Sequence, residues 1–97
     1  MILIAALRIQ SDLLPNGECV LPCLRHGMGY IALKELAPQV HQDPNRIITE
    51  GFITTKGKFL DRKEALKHAK KCNQLSQSTL WAMKDNDQQE LYSEDLY

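Results

Sequence analysis

The sequence has few of the features that mark a large, membrane-spanning or disulfide-bonded protein. Its 97 residues match one ordinary domain and leave too little chain for a second hydrophobic core. It lacks an apolar run long enough to cross a bilayer. It has three cysteines, an odd number, and the apolar residues 1–7 lack the basic flank and cleavage site of a secretion signal. We therefore expect one reduced domain over residues 1–97, without a disulfide framework or a membrane partner.

A net charge is also missing, because 12 Lys and Arg residues balance 12 Asp and Glu residues. Global charge therefore gives no reason to expect binding to nucleic acid or to an anionic membrane. The local distribution is uneven: residues 56–71 carry seven basic residues against two acidic ones, and residues 85–97 carry five acidic residues without a basic one. Either the two segments neutralise each other within the fold, or they form separate contact surfaces.

The first quarter of the chain has the pattern of a β-hairpin. An apolar, β-branched run predicts a strand over residues 2–10. Pro15-Asn16-Gly17 then predicts a turn, and residues 18–24 predict the returning strand. Pro22 lacks a backbone donor, so this second strand is expected at an edge of the sheet.

The next segment is predicted to be a loop, a short helix and a second loop. Residues 25–29 contain two glycines and are interpreted as a loop. Residues 30–37 have apolar spacing that favours a helix, which Pro38 would end. Residues 38–45 contain two prolines and several polar side chains, and we expect a surface loop there.

The clearest local pattern is a hairpin that leads into a helix. Residues 47–60 are rich in β-branched and aromatic side chains on both sides of Gly57, which predicts two strands and a tight turn. Asp61 is a suitable N-cap, and Glu64 follows three residues later as in a capping box, so we expect a helix over residues 62–73. No structure is assigned from sequence to the polar residues that follow.

Together these elements predict an α+β fold for the single domain. We expect an antiparallel sheet of three to four strands with one or two packed helices. In the predicted helix 62–73, Ala65, Leu66, Ala69 and Cys72 recur on one face and are expected in the core.

The other side of that helix and the preceding hairpin predict a basic surface, which would bind a carboxylate-rich or phosphate-rich partner. Its candidate residues are Lys56, Lys58, Arg62, Lys63, Lys67 and Lys70. The alternative is that Gly57, Asp61 and Arg62 serve the architecture alone.

The acidic end of the chain has two interpretations. Glu94, Asp95 and Tyr97 are candidate partner-binding residues, because tyrosines beside carboxylates are typical of a docking peptide. The acidic segment would then imitate nucleic acid on a host protein. Alternatively, the segment packs against the domain as an edge.

Cys19, Cys23, His26, His68 and Cys72 are the residue types that zinc prefers. In an extended strand, however, Cys19 and Cys23 would lie about 13 Å apart, too far to share one ion. Cys72 also fits the apolar face of the helix, where a free cysteine packs as a small hydrophobe. We therefore predict no metal site and no cofactor.

The loop at residues 25–29 gives an alternative function. Arg25, His26, Gly27 and Gly29 would hold a phosphorylated or nucleotide-like ligand through the guanidinium and the glycine amides. Arg25-His26-Gly27 after a strand is similar to the motif of the histidine phosphatases, but those enzymes need a larger domain and a second histidine. The simplest interpretation is a structural turn with a hydrogen-bonded histidine.

A family resemblance rests on two segments of the chain. The segment EGFITTKGKFLDRKEA at residues 50–65 and the end LYSEDLY at residues 91–97 resemble a family of small bacteriophage-encoded accessory proteins. That family shows the pattern G-F-L/I-T-x-x-G-R/K-F-V/L-D-R-x-E-A, a basic turn like Arg25-His26-Gly27, and a closing S-E-D-L-Y. Lys58 stands where arginine is more usual. The resemblance implies a phage origin, a host bacterial cytoplasm and no assigned enzyme activity.

Two functions follow as hypotheses. In the first, the protein is a phage inhibitor that covers a surface of a host defence or regulatory protein without catalysis, and an anti-defence, anti-CRISPR-type role is its most concrete form. In the second, it is a binding protein or small enzyme for a phosphorylated or nucleotide-like ligand at Arg25-His26-Gly27. Homo-oligomerisation is compatible with both.

Overall fold

The computed structural model describes residues 1–96 and has an α+β fold built on one antiparallel sheet. Four strands lie in the order β2-β1-β3-β4, which confirms the predicted sheet and places β2 at an edge. The strands are β1 (Ile2–Gln10), β2 (Glu18–Cys23), β3 (Ile47–Thr54) and β4 (Phe59–Asp61). Each neighbouring pair is antiparallel.

Strand β1 lies at the centre of the sheet and supplies much of the core. Ala5, Leu7 and Ile9 point to the same face and are fully buried, as the period of two in a strand requires. They pair with Phe52 and its same-face neighbours on β3, and with Cys23 and its neighbours on β2. The apolar run that predicted a buried strand is therefore explained by its central position.

Four helices pack against this face, more than the one or two expected. They are α1 (His26–Leu36), α2 (Pro38–His41), α3 (Arg62–Lys71) and α4 (Gln77–Asp85). Each contributes to a single core, for example through Leu33 of α1, Val40 of α2, Leu66 of α3 and Met83 of α4.

The helix expected at residues 30–37 begins four residues earlier, at His26, so the predicted glycine loop is wrong. Its first turn is stabilised by tertiary contacts of His26 and Gly29 that a local pattern does not reveal. The surface loop predicted over residues 38–45 is also wrong in its first half, because Pro38 occupies the first position of α2, where its missing N–H costs nothing.

The predicted capping box at the start of α3 is confirmed. The Asp61 side chain accepts from Glu64 N at 2.8 Å, and the Glu64 side chain accepts from Asp61 N at 3.2 Å. Ala65, Leu66 and Ala69 are buried as expected. Cys72 is the exception: it is the C-cap and is exposed, because the helix ends before its side chain reaches the core.

The molecule has two layers, the sheet and the helices, with principal extents of 42 × 25 × 19 Å. The opposite face of the sheet, which we call the outer face, carries Ile4, Ala6, Arg8, Gln10, Glu18, Val20, Pro22, Ile47, Thr49, Gly51, Ile53, Phe59 and Asp61. Within residues 1–96, none of these outer-face side chains belongs to the core that the helices cover. In the same part of the chain, the helices are too short or too polar to span a bilayer.

Candidate functional site

The basic residues predicted to form one surface fall into two groups, which adjoin on α3, where Lys71 follows Lys67 at a spacing of four residues. One group lies along one side of α3 and consists of Lys63, Lys67 and Lys70, at spacings of four and three residues. We call this group the lysine flank. All three are exposed. With Leu66, Gln88 and Gln89 they line a groove of about 350 Å³.

Helix α4 extends this groove. Lys70 also lines an adjoining recess of about 380 Å³, together with Leu80, Met83, Lys84 and the acidic Asp87. Trp81 follows Leu80 and is 63% exposed, although tryptophan is a residue that usually loses most of its surface on folding. It shares a helix side with Lys84 at a spacing of three residues. Sequence analysis missed Trp81 and Lys84, because α4 has a weak apolar pattern.

Lys56 and Lys58 lie elsewhere, in the turn between β3 and β4. With Lys71 and His68 they form a second group, which we call the basic cluster. The N-terminal amine donates to His68 Nε2 at 2.8 Å. Desolvation, together with the positive charges of this amine, Lys71, Lys58 and Lys56, lowers the pKa of His68.

Arg62 faces the interior rather than a partner. Its guanidinium donates to Glu50 Oε1 at 2.8 Å and lies 4.8 Å from the centre of the Tyr92 ring. Its carbonyl accepts from Leu91 N at 3.0 Å. Arg62 therefore joins β3, α3 and the C-terminal segment, and this placement favours a structural role.

The same carboxylate links α1 to the sheet. Tyr30 donates to Glu50 Oε2 at 3.3 Å, and His26 Nδ1 lies 3.9 Å from Glu50 Oε1. Desolvation and the charge and hydrogen bond of Glu50 raise the pKa of Tyr30. Sequence analysis did not single out Glu50, because nothing in its local pattern shows that three elements meet there.

The alternative ligand-binding residues lie in the first turn of α1. His26 is buried, donates from Nε2 to the Gly51 carbonyl at 2.8 Å, and meets the Phe52 ring edge-on at 5.2 Å. Gly29 is also buried, and a Cβ on it would lie 2.9 Å from Leu7 Cδ1. The Arg25 carbonyl accepts from the amide of Gly29, and Gly27 is exposed. These positions favour the structural interpretation of His26 and Gly29 over ligand binding.

The C-terminal segment is packed as far as residue 96. Leu91 and Ser93 are buried. Asp95 Oδ2 accepts from Tyr92 N at 2.9 Å and from Gln88 Nε2 at 2.8 Å. Glu94 is exposed. Tyr97, the third candidate of this segment, lies outside the described residues.

The thiols and imidazoles are dispersed. Cys19 and Cys23 occur on the extended strand β2, where their spacing is too long for both to bind one ion. Burial raises the pKa of both thiols. Cys72 Sγ lies 3.6 Å from His68 Nε2. Within residues 1–96, we find no group of three or more His, Cys, Asp or Glu side chains placed to hold a metal ion.

The comparisons with known proteins agree with a phage origin. No curated protein and no solved structure matches the chain. One family model does match, the one described as "Phage T4 y16D protein", and the match extends over residues 1–97. Because it spans the whole chain, we conclude that this protein belongs to the phage T4 y16D protein family.

Proposed function

We propose that this phage protein works by contact, binding an acidic surface of a host protein through the lysine flank and thereby inhibiting it in the host cytoplasm. The observation that carries the proposal is the charge of the flank. Within residues 1–96, Lys63, Lys67 and Lys70 form no ion pair, because the carboxylates that do pair, Glu18 and Glu50, pair with Arg8 and Arg62. The acidic C-terminal segment does not neutralise them by direct contact.

An unpaired row of lysines beside a groove is suited to an acidic partner. Its charge raises the rate of encounter and excludes basic partners, whereas affinity depends on the groups that become buried. Gln88 and Gln89 also line the groove, where their side-chain nitrogens donate to Asp95 and Asp87 of the same chain. Trp81 supplies the exposed aromatic side chain that most often anchors a protein interface.

The lysine flank is a better contact surface than the acidic C-terminal segment. A nucleic-acid mimic needs carboxylates that point to solvent. Asp95 accepts two hydrogen bonds from its own chain, and Asp87 accepts one from Gln89 Nε2. This leaves Asp85 and Glu94 as the exposed carboxylates of the segment that make no side-chain hydrogen bond within residues 1–96.

The natural targets of such an inhibitor are host defence or regulatory proteins. An anti-CRISPR-type action is the most specific version: the flank would cover an acidic site that the defence protein needs, and no catalytic group would be required. The proposal does not use Arg25 or His26; His26 lies in the first turn of α1, and its bond to the Gly51 carbonyl favours a structural role.

The test is a capture experiment with charge-matched variants. The tagged protein is mixed with extract of the host bacterium, and bound proteins are identified by mass spectrometry. We expect Lys63→Glu/Lys67→Glu/Lys70→Glu to lose the specific partner, since the charge of the contact surface is reversed. The control Lys34→Glu/Lys56→Glu/Lys58→Glu makes the same charge change on α1 and in the β3–β4 turn, away from the groove, and should retain it.

Two further results would decide against the proposal. One is equal capture by both triple variants and the unmodified protein. The other is capture of nucleic acid in place of a protein, with retention that falls steeply as salt increases. If a partner is found, its activity should fall when the unmodified protein is added and should remain when the flank variant is added.

A further inference from the structure

The outer face of the sheet is an exposed, largely apolar surface. The helix layer packs on the other face, through contacts of α1 with β1 and β2 and of α3 with β1, β3 and β4. On the outer face, Val20 is 40% exposed and Ile47 at the margin is 60% exposed. Ile4, Ile53 and Phe59 are partly exposed. Contiguous apolar surface of this kind marks an interaction site.

Gly51 lets an aromatic ring lie close to the backbone at the centre of this face. Its missing side chain leaves room for the Phe59 ring, since a Cβ on Gly51 would lie 2.6 Å from Phe59 Cζ. The ring therefore lies over Gly51, the β3 partner of Ala6, which is fully buried although it points away from the core. Apolar side chains on the faces of two sheets can pack together in this way.

Two of the three charged side chains on the outer face neutralise each other. Arg8 on β1 and Glu18 on β2 form an ion pair of 2.9 Å, and both side chains are a little under half exposed. The third, Asp61 at the end of β4, uses its carboxylate to cap α3. The lysine flank and the basic cluster belong to the helix layer and to the β3–β4 turn instead. A strongly acidic or basic partner would therefore find little to bind on the outer face, whereas an identical neutral face would be complementary.

We infer that the outer face binds a second copy of this chain, so that two sheets pack against each other about a twofold axis. In such an arrangement the same patch is used on both subunits, and Arg8 of each copy is matched with Glu18 of the other. With strand spacings of about 4.8 Å and a rise of about 3.4 Å per residue, the four strands present an area of about 420 Å² per copy. The total of about 850 Å² is below the size of a stable specific interface, so the dimer is expected to be weak and to dissociate reversibly.

Sedimentation equilibrium of the full chain at increasing concentration tests the inference. The weight-average mass should rise from the monomer value of 11.1 kDa towards twice that value. Ile53→Asp places a charge at the centre of the outer face and should hold the mass at the monomer value. Ile31→Asp is the matched control, because Ile31 is 66% exposed on α1 in the helix layer and should leave the mass curve unchanged.

Two charge-reversal variants test the dimer independently, in case Ile53→Asp prevents folding. Arg8→Glu and Glu18→Arg each place two like charges on the outer face, so each variant alone should dimerise at least about tenfold more weakly. When the two variants are mixed, the opposite charges should restore a dimer that contains one copy of each. An unmodified protein that stays at 11.1 kDa at every concentration, or a mixture of the two variants that stays monomeric, would overturn the inference.

Discussion

Among the glycines, Gly51 is the position at which an added side chain would be tolerated least. Its backbone does not adopt a positive φ, so conformational freedom does not explain it. Instead, a Cβ at this position would collide with the Leu60 carbonyl oxygen and with the Phe59 ring. The ring could rotate away, but the carbonyl belongs to the neighbouring strand and cannot move without disturbing the β3–β4 pairing.

We therefore expect Gly51→Ala to destabilise the protein by about 3 kcal/mol, the upper range for overpacking. The control is Gly27→Ala in α1, where a Cβ meets nothing within 4 Å. Alanine has the higher helix propensity, so Gly27→Ala should stabilise by about 0.5–1 kcal/mol. Urea unfolding followed by circular dichroism measures both. Equal effects of the two substitutions would refute the steric explanation.

Among the elements, α3 and its cap show how a local pattern predicts structure correctly. Asp61 and Glu64 exchange hydrogen bonds with each other's backbone, and these bonds need no distant contact. Helix α3 was therefore predicted from neighbouring residues alone, as was the turn at Gly57, which has a φ of 81°. The start of α1 and the whole of α2 were not predicted, because their stability depends on residues far along the chain or on the position of one proline.

The contribution of the cap is testable by itself. Asp61→Ala removes the acceptor for Glu64 N, and we expect a loss of about 1 kcal/mol. For a domain of this size that loss corresponds to a Tm lower by about 4–8 °C. Asp61→Asn keeps a capping oxygen and should lose much less. If the asparagine variant melts as early as the alanine variant, the negative charge rather than the capping bond is responsible.

For the molecule as a whole, the candidate site illustrates why sequence reasoning is incomplete. The lysines at 63, 67 and 70 were predicted to face outward and do. The distribution of the lysines between α3 and the β3–β4 turn, the contacts of Arg62 with Glu50 and Tyr92, and the exposure of Trp81 depend on how α3, α4 and the hairpin pack. Packing joins residues that are distant in sequence, and a single sequence does not encode those pairings in any local pattern.

The stability of the whole molecule should depend on pH through His68. Its pKa in the folded state is lowered from the ordinary value of 6.5, so the unfolded chain takes up the proton first as the pH falls. The stability associated with neutral His68 is therefore complete above pH 6.5 and is lost as the pH falls through the folded-state pKa.

We expect the Tm of the unmodified protein to fall more than that of His68→Gln between about pH 8 and about pH 5, the range in which histidine titrates. His41→Gln, outside the basic cluster, is the control and should keep the unmodified dependence. Proton NMR titration of the His68 ring gives the direct measurement. A midpoint above 6.5 would contradict the lowered pKa.

The two-layer arrangement has a consequence for valency. Because the core joins the helices to one face of the sheet, two copies joined through their outer faces would place their helix layers on opposite sides of the pair. The lysine flank would then occur twice, directed away from the twofold axis, and the pair would be bivalent. On a target that is itself repeated or polymeric, the second contact would form at a high effective concentration, and avidity would exceed the affinity of a single flank.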